Sequence, residues 1–383
     1  MRSTAEALSA AREQFPITRR RSYLDLANMN SPPRCVTDAL AAYYAAMQET
    51  GGDKKAWLAQ IETTRQKAAT LLGCDPAELA FCKNTSEGLN IAANAIAWQP
   101  GDNVVVPANE HPNNVYPWLN LRRHGVEVRL VPETPGWIDA STLAPFIDAR
   151  TRAIALADVS FHPGQRNDVE SVAALCNDKG IYLVVDGVQA VGLLDVRLNA
   201  RGIGMWAASG HKGLLSPHGM GLFYCRRDLV AGLSPAYVAR ASTIPGSSDD
   251  HFVATSEVML RDDARRFEIG NFNYSGIYAM GAALDLLLGV GIEAIERHVL
   301  SLGRYLTEQL AARGIDRLGP AEPERHSSIG AFRFPGEGWV EYLAANHIVV
   351  SGRRGAVRVS LGLYNTIEEL DQFVAVVDRR MRR

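Results

Sequence analysis

The stretch that decides the fold is Ile181-Tyr182-Leu183-Val184-Val185-Asp186-Gly187, an apolar run that ends in a carboxylate and a glycine. Short continuous apolar runs are typical of strands that are buried on both faces of a parallel sheet. In open α/β sheets, ligands bind at the carboxyl ends of such strands. Taken alone, Asp186 is explained equally well as a cap on the following helix or as a site carboxylate.

Helix and strand patterns alternate around this run. Helical periodicity over Val36–Met47 and Ser86–Ala97 is followed by β-rich runs at Asn103–Pro107 and Ala153–Ala157. This alternation predicts an α/β fold in which helices sandwich a mostly parallel sheet.

The C-terminal part of the chain has a different pattern. Two long helical stretches precede β-rich runs at Ile329–Phe334 and Val357–Leu361, which predicts a smaller α+β domain. We expect a large domain at residues 22–266 and a small C-terminal domain at residues 267–383, with residues 1–21 packed against the latter. The polar stretch Ser242–Asp250 is an alternative linker.

A lysine follows the decisive run. Lys212 lies in Ser209-Gly210-His211-Lys212, between two apolar stretches that read as strands. Burying an ammonium group is costly unless the amine is neutralised, paired or used covalently. Most lysines lie on the surface, but this position favours an amine that forms a Schiff base.

The segments Asp186-Gly187-Val188-Gln189-Ala190 and Ser209-Gly210-His211-Lys212 resemble the D-[GA]-x-Q-A and S-G-H-K signatures of the class V aminotransferase family. This family of fold-type I enzymes uses pyridoxal 5'-phosphate (PLP) and includes cysteine desulfurases, kynureninases and isopenicillin N epimerases. The resemblance runs from about Tyr23 to Val377. It implies that Lys212 carries PLP as a Schiff base and that Asp186 pairs with the protonated pyridine nitrogen.

The same resemblance implies further cofactor contacts. Gln189 would contact the ring phenolate oxygen, while Ser209 and His211 would bind the phosphate. Thr85 and Ser86 lie in Lys83-Asn84-Thr85-Ser86-Glu87-Gly88, where hydroxyl groups at a helix start attract a phosphate. A simple helix cap is the alternative for this turn.

Two more segments match the family. Glu110-His111-Pro112-Asn113-Asn114 resembles E-H-x-x-N, which implies that His111 stacks on the pyridine ring and that Asn114 faces the substrate. Arg358, in a segment that resembles R-x-S-x-x-x-Y-N-T, would hold the α-carboxylate of an amino-acid substrate. Arg353 and Arg354 compete for that role or recognise a second acid group.

Phe267-Glu268-Ile269-Gly270-Asn271-Phe272-Asn273 resembles F-E-x-G-T-P-N, a turn that reaches the phosphate of the neighbouring subunit in many relatives. Asn271 replaces the usual threonine but can still donate a hydrogen bond to the cofactor. The resemblance implies a homodimer with shared active sites.

The chain lacks a residue that one branch of the family requires. A cysteine desulfurase needs a mobile cysteine before the carboxylate-binding arginine, and no cysteine follows Cys225. We therefore expect an aminotransferase or lyase that acts at Cα or Cβ through an external aldimine, and not a cysteine desulfurase. An amino-acid epimerase or racemase is the alternative.

Composition excludes other classes of function. The formal net charge of −2 and the scattered charges argue against nucleic-acid or membrane partners, so we expect a small-molecule substrate. The five cysteines lack zinc-site spacing, so no metal is expected, and they fit a cytoplasmic protein. A NAD-dependent oxidoreductase is disfavoured because neither G-x-G-x-x-A segment opens a first βαβ unit. A non-catalytic PLP-binding protein is a further alternative.

Overall fold

A computed structural model describes residues 3–133, 136–244 and 258–382 of the 383-residue chain. Its α-helices are α1 (Thr4–Arg12), α2 (Arg34–Thr50), α3 (Lys54–Leu72), α4 (Thr85–Ala95), α5 (Tyr116–Asn120), α6 (Ala140–Leu143), α7 (Val169–Lys179), α8 (Tyr274–Val290), α9 (Ile292–Ala311), α10 (Trp339–Ala345) and α11 (Ile367–Met381). Its strands are β1 (Ser22–Tyr23), β2 (Leu79–Cys82), β3 (Asn103–Pro107), β4 (Glu127–Val131), β5 (Thr151–Ala157), β6 (Tyr182–Asp186), β7 (Met205–Ser209), β8 (Gly221–Cys225), β9 (Ile329–Phe332), β10 (Ile348–Val349), β11 (Ser351–Arg353) and β12 (Ala356–Ser360).

The central sheet has seven strands in the order β2-β8-β7-β6-β5-β3-β4. Strands β3 to β7 are parallel, and β8 is antiparallel to both of its neighbours. Strand β2 therefore runs in the same direction as β7, so the carboxyl ends of β2, β7, β6, β5 and β3 meet at one edge of the sheet.

Both faces of the sheet are covered. In β6, Leu183 and Val185 belong to one buried cluster, which includes residues of α7 and α8, while Val184 belongs to a second cluster with α4. Burial on both faces explains why the decisive run is continuously apolar and does not alternate with polar residues. The predicted α/β fold with a mostly parallel, helix-covered sheet is confirmed.

The C-terminal unit contains a three-stranded antiparallel sheet in the order β11-β12-β9. The N-terminal residues reach this unit, because β1 pairs with β10 and Arg12 forms an ion pair of 3.0 Å with Glu369. The proposed boundary after residue 266 stays a prediction. Part of the alternative linker, residues 245–250, lies outside the described residues.

One buried ion pair ties the C-terminal half to the sheet. Arg65 Nη1 lies 2.7 Å from Glu268 Oε1, and each side chain is 2% exposed. Arg65 also donates to the carbonyl oxygen of Leu79, and Glu268 accepts from the backbone N–H of Phe81. The pair therefore fixes the start of β2 against the turn at residues 267–273.

Within the described residues, no single helix has the length and apolar composition needed to span a bilayer; α8 and α9 meet those criteria only as a pair that bends by 76°.

Candidate active site

The carboxyl edge of the central sheet carries most of the predicted site residues. Asp186 ends β6 and Ser209 ends β7. Thr85 begins α4 directly after β2, and His111 follows β3. These residues are far apart in the sequence, yet the shared strand direction brings them to one cavity of about 400 Å³.

Asp186 lies at the floor of this cavity, where it is 5% exposed. Its Oδ1 accepts a hydrogen bond of 3.0 Å from the backbone N–H of Val188, and its Oδ2 accepts none from the described part of the chain. Burial raises the pKa of Asp186 to about 6, although Val188 and Lys212 oppose the shift. A buried carboxylate with one open oxygen is a site for a cationic partner.

Glycine is required directly after this aspartate. A Cβ atom at Gly187 would lie 1.7 Å from Nε1 of Trp206, which is buried in the neighbouring strand β7. The close approach of the Trp206 indole ring to the backbone of Gly187 explains the glycine in the D-G-x-Q-A segment. It also fixes the direction in which the chain leaves β6.

Lys212 lies in a tight turn after β7. The carbonyl oxygen of Lys212 accepts from the N–H of Leu215 at 2.9 Å, and Asn30 from the N-terminal segment braces the turn. Burial lowers the pKa of the Lys212 amine to about 8, with Asp186 opposing the shift and Arg358 adding to it. Within the described residues the amine donates no hydrogen bond, so it is available for covalent use.

The hydroxyl groups of Thr85 and Ser209 meet at one end of the cavity. Their Oγ atoms lie 2.8 Å apart, and each hydroxyl also accepts a backbone N–H from the other residue, at 2.7 and 2.8 Å. Thr85 is the first residue of α4, where free backbone amides favour an anion. His211 stacks on His218 at 4.3 Å, and burial lowers its pKa to about 4, so its ring is neutral.

His111 lies on the wall of the cavity and contacts Phe161 edge-on at 5.2 Å. Its Nδ1 accepts from the N–H of Asn113 at 3.2 Å. Burial and the nearby Lys212 lower the pKa of His111, so the ring is neutral and suited to stacking. Gln189, on the same cavity, donates from its amide to the carbonyl oxygen of Ala27 at 3.1 Å.

Arg358 lies across the cavity from the sheet and is 2% exposed. Its Nε donates to Ser351 Oγ at 3.1 Å and its Nη1 to the carbonyl oxygen of Phe161 at 3.1 Å. Asp25 Oδ1 is 3.5 Å from Nη2, but that buried nitrogen makes no hydrogen bond within the described residues. A buried guanidinium with an open nitrogen can bind a substrate carboxylate.

The structure brings most, but not all, of the predicted site residues together. The predicted residues that line the 400 Å³ cavity are Thr85, His111, Asp186, Gln189, Ser209, His211, Lys212 and Arg358. Ser86 and Asn271 instead line a neighbouring cavity of about 800 Å³. Asn114 lines neither, because its amide points to Glu110, while Asn113 lies on the cavity.

Besides Asn113, sequence analysis missed three residues of the site. Asp25 and Ser351 share a hydrogen bond of 2.8 Å beside Arg358. Glu110 lines the cavity, accepts from the N–H of Ala157 at 2.7 Å and has its pKa raised to about 7 by burial. Asp25 stands between Leu24 and Leu26, and a carboxylate flanked by apolar residues was the available signal of a buried charge.

Comparisons with known proteins agree with this geometry. The sequence profile of the family described as Aminotransferase class-V matches residues 22–373. A probable cysteine desulfurase of Methanothermobacter thermautotrophicus is 30% identical, with 94% of each chain covered. An uncharacterized protein of Schizosaccharomyces pombe is 34% identical over 89% of this chain and 80% of its own. The apo structure of the cysteine desulfurase of Thermococcus onnurineus superimposes with a TM-score of 0.88, at 25% identity and 98% coverage of each chain.

The expectation from the sequence that this chain is not a cysteine desulfurase is wrong. Relatives with that name match nearly the whole chain, as does the cysteine desulfurase CsdA of Escherichia coli, with a TM-score of 0.86, 26% identity, and coverage of 100% of this chain and 99% of that one. The exclusion depended on the absence of a cysteine after Cys225 and on the short segment from His347 to Arg358. Both features concern one segment of the chain, which is weak grounds when the strand-end carboxylate, the lysine turn and the arginine are all present.

The cavity fits PLP at three separate points. The open carboxylate of Asp186 suits the ring nitrogen, the amine of Lys212 suits the aldehyde, and the hydroxyl groups at the start of α4 suit the phosphate. These features agree with the profile match and with the structural likeness to cysteine desulfurases. The chain belongs to the class V aminotransferase family and is a PLP-dependent enzyme of that family.

Proposed function

We propose that this enzyme cleaves the bond between Cβ and sulfur in an amino acid of the cysteine type. The observation that carries the proposal is the convergence of Asp186, Lys212 and Arg358 on one cavity. Proteins named cysteine desulfurase that match almost the entire chain support sulfur as the atom bonded to Cβ. PLP supplies the electron sink that makes the Cα proton acidic.

Individual residues of the cavity have separate roles in the proposed reaction. Arg358 binds the α-carboxylate through its open nitrogen and so fixes the orientation of the substrate. Lys212 takes the proton from Cα, because its lowered pKa of about 8 leaves part of the amine neutral near physiological pH. Asp186, whose pKa of about 6 leaves it ionised near physiological pH, would pair with the ring nitrogen of bound PLP, and His111, on the cavity wall, would stack on the ring.

The fate of the sulfur atom depends on the acceptor. None of the five free cysteines lines the 400 Å³ cavity, within the residues that the structure describes. Transfer of sulfur from cysteine to a second molecule with a thiol yields alanine and a persulfide. Elimination with water yields pyruvate, ammonia and sulfide. The two routes therefore differ in their carbon product.

The purified protein should be yellow and should lose its colour on treatment with borohydride, which reduces the lysine linkage. L-cysteine should be supplied once alone and once together with a thiol acceptor. We expect either persulfide with alanine or sulfide with pyruvate. Lys212→Ala should abolish turnover and the reducible linkage, whereas Lys179→Ala, an exposed lysine at the end of α7, should retain both.

Failure to release sulfur from cysteine or from S-substituted cysteines, by protein that carries its full complement of PLP, would refute C–S cleavage. Turnover by Lys212→Ala at the wild-type rate would refute the role of the lysine. The two results are independent, because the first concerns the substrate and the second the base.

We also propose a cytoplasmic homodimer. The cavity of about 800 Å³ that contains Ser86 and Asn271 carries exposed apolar side chains, including Ile269 at 43% and Tyr237 at 74% exposure. Exposed apolar patches of this kind commonly mark interfaces between proteins. A partner on this face would reach the phosphate end of the site through the turn at Asn271. The five free cysteines suit a reducing compartment.

Ile269→Asp should weaken the dimer, because a charge would be buried in its apolar interface. Ile367→Asp is the matched control, since Ile367 has a similar exposure of 48% and lies at the start of α11, away from that cavity. Sedimentation equilibrium measures the monomer–dimer equilibrium of both variants. A wild-type protein that stays monomeric at micromolar concentration, or an equal effect of the two variants, would contradict the proposal.

A further inference from the structure

A second arginine faces the same cavity as Arg358. Strand β11 pairs antiparallel with β12, so that Ser351 lies opposite Arg358 and Arg353 lies opposite Ala356. Opposite residues of such a pair project to the same face, as do residues two apart on one strand. Ser351, Arg353 and Arg358 therefore share the face that closes the cavity, and both arginines line it.

The two arginines differ in their partners. Arg358 has Asp25 at 3.5 Å and donates to Ser351 and Phe161. Arg353 donates only to the carbonyl oxygen of Gly352, at 2.9 Å, and no carboxylate of the described chain lies within 4.0 Å of it. Arg353 therefore lines the cavity without a carboxylate of the described chain in direct contact.

The neighbouring Arg354 is already engaged elsewhere. Its Nη1 lies 3.6 Å from Glu133, and its guanidinium lies over the ring of Phe161 at 5.6 Å. Arg354 and Gly355 have positive φ angles of 46° and 75° and form the two-residue turn of the hairpin, which directs Arg354 away from the face shared by Arg353 and Arg358. The structure thus separates two adjacent arginines that the sequence alone does not rank.

The charge of Arg353 acts on the reacting groups. It contributes to the lowered pKa values of Lys212 and His111, as does Arg358. Asp25 lies beside Arg358, whereas no carboxylate of the described chain lies within 4.0 Å of Arg353. When the α-carboxylate of a substrate binds the open nitrogen of Arg358, Arg353 still has no anionic group in direct contact, which favours a ligand with a second negative group.

We propose that Arg353 binds an anionic group on the side chain of the substrate, such as a carboxylate, sulfinate or sulfonate. The preferred substrate is then an acidic amino acid of the cysteine type. The inference rests on the proposed binding of the α-carboxylate to Arg358, which lines the same cavity as Arg353.

Two ligands of nearly equal shape test this specificity. S-carboxymethyl-L-cysteine carries the second anion, and S-carbamoylmethyl-L-cysteine replaces it with a neutral amide. Titration of the visible absorption band of the PLP enzyme gives a Kd for each ligand without any need for turnover. The wild-type enzyme should bind the carboxymethyl ligand roughly tenfold to a hundredfold more tightly, as expected of a charge-assisted hydrogen bond.

Arg353→Gln should remove this preference by weakening only the carboxymethyl ligand, and Arg353→Lys should restore part of it. Arg354→Gln is the matched control and should keep the wild-type ratio. Equal affinity of the wild-type enzyme for both ligands would overturn the proposal. So would an Arg353→Gln variant that loses affinity for both ligands equally, because Arg353 would then bind the α-carboxylate.

The binding titration separates this inference from the proposed reaction. If neither ligand releases sulfur but the preference depends on Arg353, then the reaction class is wrong and the specificity stands. If sulfur is released from both ligands with equal efficiency and affinity, the reaction stands and the specificity is wrong.

Discussion

Asp186→Asn is expected to lower kcat by about 10²- to 10³-fold, the usual cost of one lost electrostatic contact to developing charge. The amide can still pack at the floor of the cavity beside the N–H of Val188. It cannot supply the negative charge that keeps a proton on the ring nitrogen. Steady-state kinetics with PLP in excess, together with the measured PLP content, separates slow chemistry from loss of the cofactor.

The matched control for this substitution is Asp178→Asn, because Asp178 is an exposed carboxylate near the end of α7 and distant from the cavity lining. Its kcat should equal that of the wild-type enzyme. Wild-type turnover by Asp186→Asn at full PLP occupancy would contradict the proposed contact between Asp186 and the ring nitrogen.

Arg65→Met should lower the free energy of unfolding by about 3–5 kcal/mol, because it leaves the carboxylate of Glu268 buried without its partner. The pair is 2% exposed on both sides, at a distance of 2.7 Å. The Leu79 carbonyl oxygen also loses its donor. Urea unfolding at neutral pH, with the PLP-loaded protein, gives the difference in stability.

Two further variants sharpen this measurement. Arg19→Met breaks an ion pair with Glu13 in which both side chains are at least 60% exposed, so stability should stay close to wild type. The double variant Arg65→Met with Glu268→Met should recover part of the loss, because no unpaired charge remains. If Arg65→Met and Arg19→Met destabilise equally, the buried pair has no special role.

Much of the fold could be predicted because the strands are local features. The run that ends at Asp186 is apolar along its whole length, and the predicted strand Asn103–Pro107 matches β3 residue for residue. The reversed direction of β8 could not be predicted, since its apolar sequence is compatible with either direction in a sheet that is buried on both faces. Direction depends on the connection between β7 and β8, which contains the lysine turn.

The site was less predictable where contacts join distant parts of the sequence. Lys212 and Asp186 stand in recognisable segments, whereas the contacts of Asp25 with Ser351 and Arg358 connect opposite ends of the chain. The choice between Asn113 and Asn114 depends on a single turn of 3-10 helix at residues 112–114, and sequence patterns do not resolve a shift of one residue. Local chemistry was therefore easier to assign than the substrate side of the cavity.

The hydrogen bond between Asp25 and Ser351 joins residues that are 326 positions apart. Strand β1 likewise finds its partner only after residues 348 and 349 have been synthesised. Closing so large a loop is entropically costly and slow compared with the pairing of neighbouring elements. On the ribosome, Asp186 and Lys212 emerge long before Arg358. The cofactor-binding part of the site can therefore form before the part that binds the amino acid.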